Sequence, residues 1–233
     1  MELAIDTSTA TASIALSSGG EVVAEITWCA GQNHTVGLVP NINHLLRQAG
    51  AGPADITGLV VATGPGSFNG LRVGMSTAKG LAFALNLPLV GISTLEVEAY
   101  PHSITALPVC PILEVGRGEV AAALFQSRRG KWRRLLAEHI TTTGELLPKI
   151  NGRTVFCGRI SAETASQLKD TLGSRALVVS GGAALRRAGY LGRLGWARLS
   201  EGDFDPLPTL QPLYLRSPSI TVSRKARKMA QGS

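Results

Sequence analysis

The sequence predicts an α/β fold built from two consecutive βββαβα units, and three observations carry that prediction. Apolar segments of strand length alternate along the chain with longer segments of helical periodicity. The order of three strands, helix, strand and helix can be read in residues 1–100 and again, more loosely, in 101–215. The chain has 233 residues, enough for two modest cores, and its 44% hydrophobic and 17% charged composition is that of a globular protein. No sequence repeat accompanies the repeated pattern, so the second unit reads as a degenerate copy.

"ELAID" (2–6) is a short apolar strand, and "ASIALS" (12–17) and "EVVAEITW" (21–28) follow it, joined by the turn "SGG" (18–20). Short connections make these three an antiparallel meander. Leu38, Ile42, Leu45 and Ala49 recur at helical spacing and Gly50 stops the helix, giving 34–49. Pro40 either marks its first turn or kinks it. "ITGLVVAT" (56–63) is a buried strand, the glycine-rich loop "TGPGSFNGLRVG" (63–74) leads into a helix over 70–85, and "LPLVGI" (87–92) is the next strand. In the second half, strands are expected at 107–115, 119–127 and 132–140, and Thr143 is expected to cap a short helix. A strand at 153–158, a helix over 161–173 capped by Ser161, a strand beginning at Ala176 and a helix over 183–195 complete the pattern. Residues 216–233 hold five basic residues and no acid, and read as a mobile basic tail.

Several function classes are disfavoured at this level. No basic n-region precedes an apolar stretch at the N-terminus, and the longest apolar region is broken by Asn86 and Pro88, short of the roughly 20 residues that span a bilayer. The three cysteines are scattered and make neither a CxxC pair nor a disulfide framework, so a cytoplasmic location is expected. Charge is uneven: 1–100 holds three basic against seven acidic residues, 101–233 twenty against nine. The basic half suits nucleic acid or an acidic partner, and a solvated basic surface accounts for it equally.

Chemistry-bearing residues are few. Asp6 ends the first strand and is followed by Thr7 and Ser8. An acid at a strand tip with small hydroxyl residues can hold a metal and donate to phosphate. A polar hairpin whose acid satisfies turn amides matches the same spacing, and spacing alone favours the hairpin. The glycine-rich loop is neither GxxxxGK[ST] nor GxGxxG, although helix-start N–H groups after a strand suit an anion. Gly70, Gly74, Ala78 and Ala82 form one stripe of small residues, which permits a close neighbour. That neighbour is either the protein's own sheet or another subunit. Leu71, Met75 and Leu85 lie on another side and suit a core. The four histidines make no HxxxH pair, since Leu38 stands four positions after His34, and HExxH and GxSxG are absent. "SGGAAL" (180–185) reads as a strand-to-helix turn near an adenine or as a plain cap by Ser180.

Together, "MELAIDTSTATASIAL", "NHTVGLVPNINHLL", "GPGSFNGLRVGMSTAKGLA", "LVGISTLEV" and "PLYLR" (212–216) resemble the TsaB (YeaZ) family of the actin-like, sugar-kinase-like ATPase superfamily. The resemblance is specific in 1–100 and loose over 101–211. It implies two tandem RNase H-like domains, 1–100 and a degenerate 101–215, followed by the tail. It also implies a non-catalytic role in making N6-threonylcarbamoyladenosine on tRNAs that read ANN codons. In that family a paralogous subunit, TsaD, does the chemistry with an HxxxH metal site, which His34 and Leu38 do not reproduce. TsaB pairs with TsaD through N-terminal helices, the ATPase TsaE joins, and tRNA is reached through the complex. A homodimer on the same surface is expected when TsaD is absent. The resemblance implies no required cofactor, no metal and no membrane, and leaves room for ATP or ADP at the subunit interface. Carried over by position, the interface residues are His34, Leu38, Asn41, Leu45, Gly70, Arg72, Gly74, Met75, Ala78 and Ala82. Residual nucleotide contacts fall on Asp6, Thr7, Ser8, Gly64, Gly66 and Ser67. The second domain departs from the family: "EVGRGEVA" puts Glu114, Gly116 and Ala121 where aspartate, arginine and tyrosine are usual.

Two other functions stay open on the residues alone. One is an ATP-dependent kinase or ATPase with Asp6 holding the metal, for which no general base can be named. The other is direct tRNA contact through Arg128, Arg129, Lys131, Arg133 and Arg134, and through Arg224, Lys225, Arg227 and Lys228 of the tail.

Overall fold

The computed structural model describes residues 1–31 and 33–216; the tail expected over 216–233 lies outside these beyond Arg216. The first meander is β1 (Glu2–Asp6), β2 (Thr11–Ser18) and β3 (Glu21–Cys29). Gly19 and Gly20 turn the β2–β3 hairpin with φ of 61° and 80°, the left-handed pair that a two-residue hairpin loop needs. α1 (His34–Gln48), β4 (Gly58–Gly64), α2 (Phe68–Leu85), β5 (Leu89–Ser93) and α3 (Thr94–Ala99) follow. Pro40 lies inside α1, well past the first turn. α2 starts on Ser67, whose hydroxyl accepts from the Gly70 amide, and stops on Asn86 in the left-handed region at φ 52°.

The second half contains β6 (Val109–Gly116), β7 (Glu119–Arg128), β8 (Lys131–Thr142), α4 (Thr143–Leu146), β9 (Thr154–Arg159), α5 (Ala162–Leu172), β10 (Ala176–Val178) and α6 (Ala188–Ser200). Two predicted caps are corrected. The α4 cap is Thr142, whose hydroxyl accepts from the Glu145 amide, so Thr143 is the first helical residue. Ser180 caps nothing: it precedes a 3-10 turn, and α6 begins only at Ala188. The first amides of α6 are satisfied by sheet residues instead, Ala188 N by Ser13 Oγ at 3.0 Å and Gly189 N by Glu25 Oε1 at 3.1 Å. Ser161 caps α5 as expected.

The two five-stranded sheets run β3-β2-β1-β4-β5 and β8-β7-β6-β9-β10, the same order in each half. In each, an antiparallel meander continues into parallel pairing through its first strand, with Leu3 opposite Leu59 and Val109 opposite Val155. The duplication invisible in sequence is therefore explicit in topology. Alternation along β1 sorts its two faces. Leu3 and Ile5 pack with Leu38, Ile42 and Leu45 of α1 and Met75, Ala78 and Ala82 of α2. Ala4 faces the other way, with Ala15, Val60 and Leu191 of α6. Gly195 of α6 lies so close to β4 that a Cβ there would stand 2.3 Å from Val60.

Placing α6 on the first sheet corrects the expected boundary of the second unit. Residues 188–213 lie along the first sheet, and only Leu215 returns to the core of the second. After α6 the chain crosses back along the first sheet, with Asp205 N bonded to Leu89 O at 2.9 Å and Leu213 N to Thr63 O at 2.7 Å. In the reverse sense, Leu95 and Ala99 of α3 join the core of the second sheet with Val109, Phe125 and Val155. α4 and α5 cover that sheet's other face through Leu146, Leu168 and Leu172. All three cysteines are free thiols, and burial pushes Cys110 up to about 12.

Candidate functional site

The tip of β1 is a densely bonded polar cluster. Asp6 Oδ1 accepts from the Ser8 amide at 2.9 Å and the Ser8 hydroxyl at 2.6 Å, the turn that spacing alone favours. What the sequence did not reveal is Arg186, brought in from the segment before α6. Its Nε donates to Asp6 Oδ2 at 2.6 Å and its Nη1 to Glu98 Oε2 of α3 at 3.1 Å. Its Nη2 donates to the hydroxyls of Ser8 at 3.0 Å and Thr9 at 2.9 Å. The three charged side chains are each 9% exposed or less. No motif spacing pointed to Arg186: it lies 180 positions from Asp6 in a stretch that reads as the inside of a helix.

The charges settle as burial and pairing dictate. Burial would raise Asp6, but the Arg186 charge and its hydrogen bonds, joined by those from Ser8, outweigh it and hold the carboxyl below its ordinary value. For Glu98, burial wins over Arg186, the Asp6 charge adds to it, and the carboxyl is raised. Burial would lower Arg186, and the two acids more than reverse that. Asp6 therefore does not fit the metal-holding role considered for it: both carboxylate oxygens are committed, and a fixed cation already sits against them. Among the described residues no group of three or more His, Cys, Asp or Glu side chains is placed to hold a metal ion.

Four of the six residues assigned to residual nucleotide contact, Asp6, Ser8, Gly66 and Ser67, meet directly, but they meet each other. The Ser67 amide donates to Ser8 O at 2.7 Å, and the Thr7 hydroxyl donates to Gly70 O at 2.7 Å. A Cβ at Gly66 would stand 2.1 Å from Ser8 O. Gly64 lies next to this contact, against Leu71 and the Leu213 carbonyl. The glycine-rich loop thus admits the β1–β2 turn of its own chain. Beside this sealed tip an open cleft of about 400 Å³ runs between the two units, lined by Thr9, Thr11, Gly158, Arg159 and Arg186.

The residues assigned to the partner interface divide sharply. His34, Leu38 and Leu45 of α1, and Gly70, Gly74, Met75, Ala78 and Ala82 of α2, are buried within the protein. A Cβ at Gly70 would stand 2.1 Å from Thr7 O, and one at Gly74 2.3 Å from Thr7 Oγ1. The small-residue stripe therefore lets α2 settle on its own sheet, which corrects its assignment as a docking surface. Asn41 is half-buried; Arg72 is exposed, its guanidinium 3.8 Å over the Phe68 ring and its Nε 3.2 Å from the Tyr214 hydroxyl. The outer side of the same two helices carries what was missed, Val36 at 75%, Val39 at 51% and Phe83 at 84% exposure. A signal was present: these apolar residues fall off the core stripe of their helices. Burial lowers the His34 imidazole, against the pull of the Asp6 charge, and its Nδ1 has no hydrogen-bond partner among the described residues, so the ring fills space beside Gly70.

In the second unit Glu114 ends the run of buried residues in β6. Its Oε1 accepts from Ser161 N at 2.9 Å and the Thr164 hydroxyl at 3.1 Å. The Ser161 bond chiefly lowers its carboxyl. The acid at the position of the usual aspartate thus braces the Ser161 cap of α5, and Ala121 is core. No helix among the described residues is long and apolar enough to cross a membrane.

The family model described as TsaD, tRNA N6-adenosine threonylcarbamoyltransferase, matches residues 9–186. The chain is 30% identical to the tRNA threonylcarbamoyladenosine biosynthesis protein TsaB of Bacillus subtilis, over 92% of this chain and 93% of that protein. It is also 30% identical to the TsaB protein of Escherichia coli, over 92% and 94%. Its fold is similar to a crystal structure from Pseudomonas aeruginosa described as an uncharacterized protein with similarity to peptidase YEAZ. The TM-score there is 0.79 at 24% identity, over 92% of this chain and 99% of that one.

Proposed function

The chain belongs to the TsaB (YeaZ) branch of the tRNA N6-adenosine threonylcarbamoyltransferase family, and from that premise we propose that it is a non-catalytic subunit required for N6-threonylcarbamoyladenosine formation on tRNAs reading ANN codons. The observation that carries this reading is the seating of Arg186 on Asp6 and Glu98. The acid that a phosphotransferase of this architecture would aim at a metal is neutralised by an internal cation, so bond making is assigned to another subunit. That subunit is a TsaD paralog, which docks on the outer side of α1 and α2. Val36, Val39 and Phe83, exposed there without a partner, support this assignment. TsaE joins the complex, tRNA is reached through it, and two copies of this chain pair on the same layer when TsaD is absent. The setting is cytoplasmic.

The test is reconstitution with TsaD from the same organism. Size-exclusion chromatography should give one co-eluting species, and tRNA modification in vitro should require both proteins. Modification by TsaD that is indifferent to this chain would overturn the reading, as would threonylcarbamoyl transfer by this chain alone. ATP hydrolysis by the lone chain that Asp6→Ala abolishes would restore the kinase reading in its place.

A further inference from the structure

The hairpin between β7 and β8 holds a feature that subunit docking does not use. It carries "RRGKWRR" from Arg128 to Arg134. Arg129 and Gly130 make the turn, with φ of 52° and 73°. The register sets Arg128 opposite Lys131 and Gln126 opposite Arg133, so Arg128, Lys131 and Arg133 share one face of the ribbon. All three are exposed, with Arg129 at the tip. Among the described residues none of these four meets a carboxylate; the ion pair of this hairpin is Arg134 with Glu138. Cations set directly across from one another destabilise a strand pair, and no carboxylate among the described residues pairs with either Arg128 or Lys131 to offset it.

The ribbon is also braced. Arg128 Nε donates to Gln126 Oε1 at 2.6 Å, and Gln126 Nε2 donates to Ala106 O at 2.9 Å. The guanidinium is thereby held at its Nε, while its two Nη groups keep their donors for an outside acceptor. On the inner face Trp132 stacks on Phe125 at 5.5 Å and meets the edge of Tyr100 at 5.6 Å. Charges on an edge strand such as β8 commonly guard against edge-to-edge pairing. That purpose requires neither an arginine facing a lysine nor a glutamine holding a guanidinium in place.

We infer that this ribbon is an RNA phosphate-backbone contact through which the chain itself grips the tRNA. A fixed guanidinium edge and three neighbouring cations on a rigid two-stranded support match successive phosphate groups. The inference rests on the proposed role in tRNA modification and adds the surface that meets the substrate.

The experiment compares the full-length chain with its R128Q/R129Q/K131Q/R133Q variant. Each is titrated with a tRNA transcript between roughly 50 and 200 mM salt. Loss of four phosphate contacts should lower the magnitude of the slope of log K against log salt by about 3 and weaken binding at the lowest salt by more than about tenfold. Residues 217–233 are present in both proteins, so the difference belongs to the ribbon. Gln126→Ala, which frees Arg128, should weaken binding less than the quadruple variant does. The quadruple variant should melt at or above the wild-type temperature, since the opposed pair is gone. Equal affinity and equal slope in a folded variant overturn the inference. So does a loss confined to anionic phosphatidylglycerol vesicles with tRNA binding intact. Co-elution with TsaD is read separately: its failure in the wild type removes the parent reading, whereas its persistence in a variant that no longer grips tRNA supports both.

Discussion

Arg186 satisfies two buried acids and two hydroxyls at once, and that makes it the residue on which the first unit's polar tip depends. Removing one partner of a buried ion pair leaves an uncompensated charge and typically costs about 3–5 kcal/mol. Arg186→Met should therefore lower the unfolding free energy by an amount in that range, measured by urea titration. Asp6→Asn in the same chain should recover part of it, because one orphaned charge is then gone; strictly additive losses would mean that the two residues do not act as a pair. The pH dependence has a defined sign. Asp6 is held below its ordinary value of 3.8, so its contribution is complete above the unfolded-state value and is lost as pH falls through the lower folded value. Glu98 is raised and acts in the opposite sense, weakening the fold as pH rises from its unfolded value through its folded one. Asp6→Asn deletes the first contribution and also removes the part of the Glu98 rise that the Asp6 charge supplies. Its stability should be flatter than the wild type's as pH falls below about 4, and parallel curves would contradict an ionised Asp6.

At the scale of elements, α2 separates what a helix needs for its own fold from what it offers outside. Gly70 faces backbone, the Thr7 carbonyl, which cannot swing away as a side chain would. Gly70→Val should lower stability by at least about 1–3 kcal/mol through overpacking, with TsaD association failing only because the fold has failed. Phe83→Asp should leave stability within about 0.5 kcal/mol and abolish co-elution with TsaD. Denaturant titration and size exclusion on the same two variants decide the matter: an intact complex with Phe83→Asp places the interface elsewhere. The sequence announced α2 and its stripe, because 3.6-residue periodicity is a local property, although it began the helix at Gly70 where the structure begins it at Phe68. It could not announce the destination of the stripe. Small side chains admit any close backbone, and the choice between the chain's own β1–β2 turn and a foreign helix is made by tertiary structure. Leu38 and Leu45 failed as interface residues for the same reason, since helical spacing reports an apolar face without naming what covers it.

At the scale of the whole molecule, ten strands and five of the six helices among the described residues follow the order that periodicity predicts, α3 being the helix it missed, yet the units are not closed in sequence. Strand runs are legible because alternation and turn glycines act over a few residues. The crossing of α6 and of residues 203–213 onto the first sheet is illegible, since nothing local distinguishes a helix that covers its own unit's sheet from one that covers its neighbour's. The consequence is testable. Without residues 186–216, Ala4, Ala15 and Val60 lose Leu191 and the rest of α6, and each fully buried aliphatic side chain contributes about 1.5–3 kcal/mol. The β5 edge also loses its bonds to Asp205, and Asp6 loses Arg186. A fragment of residues 1–100, the first unit as the sequence delimits it, should therefore be insoluble or unfold without a cooperative transition by circular dichroism. The same fragment joined to 186–216 through a flexible linker should regain cooperativity, because that segment restores both the covering helix and the buried cation. A cooperative transition in 1–100 alone would mean that the first unit closes its core without its C-terminal cover, and that the Arg186 bridge fastens two independent domains instead of completing one.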